Sequence, residues 1–196
     1  MKKNLILSVV TVLFILSACK KNNDNNGSSG IQGTYKLKYL TGKTNATLTG
    51  TGGEKSVTTS DYTSTNNTGV IVFGSSNATS TGMSYSINTL AYNTTYQDNV
   101  FVDSSSYPFS FTLPSSSSSA AYRLVGTDSI YFPQGSVIAM SGTGTTQGGP
   151  GGGRYTINGK LLTIIQNGSK DSTFQDSGET YRQMESVLAT IVLEKQ

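Results

Sequence analysis

Chemistry in a polypeptide needs nucleophiles, bases, acids or metal ligands, and this chain is short of them. Its 196 residues include no histidine and one cysteine, Cys19. A Ser-His-Asp triad, a Cys-His pair and a His-ligated metal are therefore impossible, and one thiol cannot build a thiolate zinc site. Gly42-Lys43-Thr44 has the ending of a phosphate-binding loop, but Leu37 stands where the upstream glycine belongs and no helical pattern follows. Asn22, Asp24, Asn26 and Gly27 match the opening of a calcium loop, yet its twelfth position is Gly33 rather than glutamate. Asp61, Asp98, Asp103, Asp128 and Glu179 sit beside polar loop residues and read as solvated acids, not as a glycosidase pair. The expectation is a protein that is not an enzyme, with no catalytic residue, no metal and no cofactor. Tyrosine is the more suggestive type, with 11 copies and no tryptophan. On alternating strands tyrosines either fill a core or form a sugar-stacking row, and Tyr85, Tyr92, Tyr96 and Tyr131 are the candidates for such a row.

The elements that must carry these residues begin with a three-part N-terminus. Lys2 and Lys3 are followed by a mostly apolar run from Leu5 to Leu16, then by the small Ser17 and Ala18. This is the pattern of a secretory signal peptide over residues 1–18. As a helix the run would reach about 18 Å, well short of a ~30 Å hydrocarbon core. Leu16-Ser17-Ala18-Cys19 resembles the bacterial lipobox. That resemblance implies cleavage before Cys19, a diacylglycerol on its thiol and acylation, for instance by palmitate, of the new amine. The implied partner is membrane lipid, held through acylated Cys19. The implied address is the cell envelope, with the outer membrane favoured because Lys20 is unlike an inner-membrane retention aspartate.

Removing Lys2 and Lys3 leaves 12 of the 14 basic residues against 11 acidic ones, so the mature chain is nearly neutral. The sequence pI of 8.9 is thus no argument for nucleic acid. With no second cysteine, no disulfide forms within the chain, and the domain must rest on its core.

Residues 19–30 comprise Cys19 and KKNNDNNGSSG, which has no apolar residue and reads as a flexible tether of ~18 Å r.m.s. span. From Ile31 to Gln196 a single domain follows, and its dominant period is two. Tyr35, Leu37 and Tyr39 alternate with lysines, and Tyr107, Phe109, Phe111 and Leu113 alternate with Pro108, Ser110 and Thr112. Further strands are expected at Val70–Phe73, Met83–Tyr92, Tyr122–Val125, Ser129–Phe132 and Val137–Met140. Asn158-Gly159 and Asn167-Gly168 predict two tight hairpin turns and hence a three-strand meander over Arg154–Phe174. Val187–Leu193 reads as a final strand, with a short turn of helix near Glu179; helix is the rival for the segment, because Tyr181, Met184, Leu188 and Ile191 fit its spacing. Ser115–Ser119 and Thr143–Gly153 read as loops. Nine or ten strands without a helical crossover imply an antiparallel up-and-down sheet, closed as a β-barrel or split as a β-sandwich.

Two stretches carry a family resemblance. Gly33-Thr34-Tyr35-Lys36-Leu37 looks like the opening strand of lipocalin-like domains, with Tyr35 in place of the family tryptophan. Arg154-Tyr155-Thr156-Ile157-Asn158-Gly159-Lys160-Leu161-Leu162-Thr163 is similar to a late hairpin of the lipocalin-like lipoproteins of Bacteroidetes-type bacteria. The resemblance implies a barrel closed around an apolar cavity. With the barrel-like strand pattern, the lack of catalytic groups and the membrane address, the expectation is a monomer that binds a small apolar or amphipathic ligand, with Tyr35, Leu37, Phe109, Phe111 and Leu161 in the barrel interior. In that lineage Asp128-Ser129-Ile130 and Asp171-Ser172-Thr173 also resemble O-glycan attachment sites, at Ser129 and Ser172. The alternative is a surface binding or structural module for glycan or for another envelope protein.

Overall fold

Alternating β-branched and aromatic residues leave the backbone to satisfy its hydrogen bonds from strand to strand. The computed structural model describes residues 30–136 and 150–196. Among them it has ten strands and no α-helix. These are β1 (Gly33–Gly50), β2 (Glu54–Thr63), β3 (Thr65–Phe73), β4 (Asn77–Gln97), β5 (Val100–Ala121), β6 (Arg123–Val125), β7 (Ser129–Phe132), β8 (Gly151–Asn158), β9 (Leu161–Asp176) and β10 (Glu179–Lys195). All pair antiparallel in one up-and-down sheet, the architecture that the alternation predicts.

β2 and β3 act as one broken strand between β1 and β4. β2 pairs with Thr41–Thr49 of β1, and β3 with Gly33–Lys36. β4 pairs with both in turn, which closes a small ring of hydrogen-bonded strands. Ser64 stitches the break. It is buried, its Oγ accepts the Leu40 amide at 2.8 Å, and its own amide donates to the Leu40 carbonyl. On its other side β1 pairs with β10, with a bulge between Leu37 and Tyr39. The extra residue keeps both Leu37 and Leu40 on the inner face, although they are three residues apart.

The full strand order is β5, β4, β2/β3, β1, β10, β9, β8, β7, β6. β5 and β6 are thus opposite ends of the path, yet Tyr122 alone separates them in the chain. Consecutive Cα atoms lie about 3.8 Å apart, so the sheet must curl until its two edges meet at that residue. Tyr122 is buried there, and its ring meets Phe73 at 5.4 Å and Phe132 at 6.3 Å. Phe73 in turn meets Tyr35 edge-on at 5.7 Å. Around this aromatic chain lie Ile31, Leu37, Ile71, Met83, Leu113, Ile130, Leu162 and Leu193, a single core at one end of the molecule.

The other end has a different construction. β6, β7 and β8 have only 3, 4 and 8 residues, whereas β1, β4, β5, β9 and β10 have 16 to 22. The long strands therefore run past the core as a six-stranded blade, ordered β5, β4, β2, β1, β10, β9. Its width is about 24 Å and its length about 33 Å at normal strand spacing and rise.

Several local expectations are corrected. Asn167-Gly168 is not a turn: β9 runs through it, with Gly168 paired to Val187. The hairpin closes instead at Ser177-Gly178, where φ is 51° and 87°. The Asn158-Gly159 hairpin does form, but Asn158 belongs to the strand and the loop is Gly159-Lys160. Ser115–Ser119 is not a loop but the last part of β5, because its backbone pairs with β4 and its hydroxyls find partners such as Ser80. Near Glu179 there is strand rather than helix. Gly151–Gly153 belongs to β8, where it pairs with Phe132, Tyr131 and Ile130 of β7, and at Gly152 and Gly153 the strands approach too closely for a side chain. A Cβ on Gly153 would lie 2.3 Å from the Ile165 carbonyl oxygen. The strand expected at Val137–Met140, the remainder of the Thr143–Gly153 loop, Cys19 and the tether all lie outside the described residues.

Candidate functional site

The blade is one sheet thick, and its two faces follow from strand parity. Lys43, Asn45, Tyr92, Leu188, Ser186 and Met184 point outward. Thr44, Thr58, Ser60, Asn93, Val187 and Glu185 point inward, on the side continuous with the core. Inward residues of β10 and β1 are consistently less exposed than their outward neighbours, as the concave side of a curled sheet requires.

The outer face mixes charge with exposed apolar groups. Leu90 is 45 % and Tyr92 54 % exposed, and Leu188 and Met184 are also open. Lys43 and Asp61 form an exposed ion pair across β1 and β2 at 3.3 Å. An open depression of about 570 Å³ is lined by Lys43, Asn45, Thr59, Asn167, Ser186 and Leu188.

The inner face changes character along the strands. Nearest the core lie Ile87, Phe111, Leu40 and Ile191. Tyr62 covers Gly42 next, so closely that a Cβ on Gly42 would meet its ring at 2.2 Å. Then come hydroxyls and amides. Thr44 and Ser60 share a hydrogen bond at 2.6 Å, and Asn93 accepts from Ser56 at 2.6 Å and from Thr58 at 3.0 Å. Across β10, Glu185 is buried at 5 % exposure. Its Oε1 accepts from Gln183, while its Oε2 has no partner. Burial pushes the Glu185 carboxyl up, and Lys170 and the Gln183 hydrogen bond only partly offset this. Beyond it, at the tip, Phe174 and Tyr181 stack at 5.6 Å. The Tyr181 hydroxyl donates to Glu179 at 2.7 Å, which with its acidic surroundings holds the phenol up at about 12.

The residues singled out from the sequence do not gather in one place. Tyr35 and Leu37 are core. Phe111 is partly buried against that core, Leu161 is half-buried beside the fully buried Leu162, and Phe109 is 40 % exposed. Tyr107, Phe109, Phe111 and Leu113 do share a face, but the cover thins toward the blade. The four-tyrosine row does not exist. Tyr85 is buried, Tyr92 is open on the outer face, Tyr96 takes Lys55 over its ring, and Tyr131 takes Arg123. Ser129 opens β7 and donates to Asp128 at 3.1 Å, while Ser172 is half-buried on the inner face of β9.

Among the candidate acids, Asp61 pairs with Lys43 and Asp128 with Arg154 at 3.6 Å. No group of three or more potential metal-ligating His, Cys, Asp or Glu side chains occurs among the described residues. Glu185, the buried acid, is absent from the sequence candidates. Its signal was parity, since Glu185, Val187, Ala189, Ile191 and Leu193 alternate on one buried face. No described helix is long and apolar enough to cross a membrane. Comparison of this chain with protein-family models, with curated proteins and with solved structures finds no match.

Proposed function

We propose that this chain is a lipid-anchored, non-catalytic envelope protein that uses its blade to bind another envelope component, a glycan or a protein. The observation that carries this reading is the blade itself, a sheet six strands wide whose outer face is uncovered among the described residues. A sheet that extends past its own core gains little from burial, so its length is better explained by what it presents. Lipobox chemistry at Cys19 supplies the anchor. The first described core residue, Ile31, is at the closed end, opposite the blade tip. The other reading, an apolar ligand held inside, draws on that closed end, where Tyr35, Phe73, Tyr122 and Phe132 occupy one another's surfaces.

Two measurements test the proposal. A clickable fatty acid fed to the expressing host should label the wild-type chain and not Cys19→Ala. An unlabelled wild type ends the anchor. The detergent-solubilised full chain should be retained, saturably, by immobilised envelope polysaccharide or by purified outer-membrane protein. Retention that is absent, or that survives both Leu188→Asp on the outer face and Thr58→Lys on the inner face, ends the blade reading.

A further inference from the structure

The depression on the outer face of the blade is lined by two neighbouring cross-strand rows. One runs Thr59, Asn45, Ser186, Ser169 from β2 to β9, and the other holds Lys43, Leu188 and Asn167. Among the described residues the side chains of Thr59, Ser186, Ser169 and Asn167 have no hydrogen-bond partner, and Asn45 has only a 3.4 Å bond from Thr47. The inner face is the reverse, since its hydroxyls and amides are bonded to one another. The first row continues onto β4 at Tyr92, the direct cross-strand partner of Thr59 on the same face. Tyr92 is 54 % exposed, and its ring has no aromatic or cationic partner among the described residues. From Tyr92 to Ser169 is four strand spacings of about 4.8 Å, or about 19 Å. The charges that border the row are compensated, Lys43 by Asp61 at 3.3 Å on the core side and Arg182 by Asp171 toward the tip.

We propose that this trough binds a neutral saccharide chain laid across the strands, with one ring stacked on Tyr92 and the following units over Thr59, Asn45, Ser186 and Ser169. Hydroxyl and amide groups both donate and accept, as sugar hydroxyls do, so the row can match a polyol along its whole length. The apolar face of a sugar ring suits the open Tyr92 ring at one end. The paired charges decide against a polyanion, which needs cations without partners. A peptide strand finds no free backbone on the floor, because β2, β1 and β10 are paired on both sides there. A protein interface has an apolar centre, and among the described lining residues Leu188 is the only apolar side chain on this face. The inference rests on the blade-binding reading and narrows it to the outer face and one ligand class.

The full chain, in micelles of a detergent without a sugar headgroup, is titrated by calorimetry with cellohexaose, maltohexaose and xylohexaose, and with hexagalacturonate as an anionic counterpart. At least one neutral hexasaccharide should bind saturably, and hexagalacturonate should not. Tyr92→Ala should weaken binding about tenfold through the lost stacking. Ser186→Arg should abolish it, because the long side chain fills the floor of the depression. Phe101→Ser at the tip should change nothing. Tyr92, Ser186 and Asn45 are all exposed, so these variants leave the core intact, and Asn45→Ala carries the test if Tyr92→Ala fails to fold. No binding of any neutral hexasaccharide, tighter binding of hexagalacturonate, or binding indifferent to Tyr92→Ala and Ser186→Arg overturns the inference. If retention on envelope material persists in that case, only the saccharide site has failed. If retention is absent too, the blade reading fails with it.

Discussion

Glu185 stands where the alternation of β10 calls for an apolar side chain, and its burial has a measurable consequence. The folded protein holds this proton more tightly than the unfolded chain, because burial disfavours the carboxylate. Stability from this group is therefore fully present below the ordinary glutamate value of ~4.3 and is lost as pH rises through the raised folded value. Glu185→Gln removes that titration and keeps a hydrogen-bonding group. At pH 8 the variant should be more stable than wild type by about 1 kcal/mol, and at pH 4 the two should converge. Urea midpoints at the two pH values read this directly. A wild type that is the more stable at pH 8 would mean that the carboxylate has a partner in solution. The sequence did not advertise this residue because its neighbours Tyr181, Met184, Leu188 and Ile191 also fit a helix, and on a helix Glu185 would face elsewhere.

At the level of elements, period-two alternation located strands well and turns poorly. Ser129–Phe132 was legible to the residue, and the hairpin at Asn158-Gly159 to within one position. Asn167-Gly168 misled because an Asn-Gly pair is a turn signal only if the chain must reverse there. Its pairing with β10 for six residues before it and eight after it outweighs that local preference. The true reversal at Ser177-Gly178 uses the same left-handed backbone with a less emphatic pair. Gly178→Ala should therefore cost about 1 kcal/mol, read as a lower melting temperature, because φ there is 87°. The serine run of β5 was illegible for another reason, since its strand state comes from β4 and not from its own propensity. The break between β2 and β3 gives the sharpest test. Ser64→Ala strips the buried Leu40 amide of its acceptor and should cost about 1–3 kcal/mol by urea unfolding. A loss below a few tenths would show that water replaces the hydroxyl.

For the whole molecule, the all-β class and the antiparallel up-and-down pairing were readable, but β2 was not expected and the division into a packed end and a bare blade was not legible. That division depends on strand length, which is set by partners far away in sequence. Tyr122 is the residue on which the closed end turns, since it joins the two edges of the sheet. Tyr122→Phe loses only the hydroxyl's bond to the Gly74 carbonyl and should cost about 1 kcal/mol. Tyr122→Ala also removes the ring between Phe73 and Phe132 and should cost about 3–5 kcal/mol. Amide exchange should separate the two ends in the same protein, with slow amides at Tyr35, Ile71 and Leu162 and faster ones toward Gly53 and Gly178. Uniform protection along β10 would contradict the bare-blade description.

β1 begins at Gly33, near the start of the described residues, and has a paired neighbour on each side for most of its length, β10 on one and β3 then β2 on the other. A molecule held at its N-terminus and tugged at the blade tip would carry tension along this strand. The bonds flanking β1 then share the load in shear, all at once, and do not open one after another like a zipper. Such a strand yields only when both ladders slip together, so this fold resists a pull along β1 more than a pull that peels its edges.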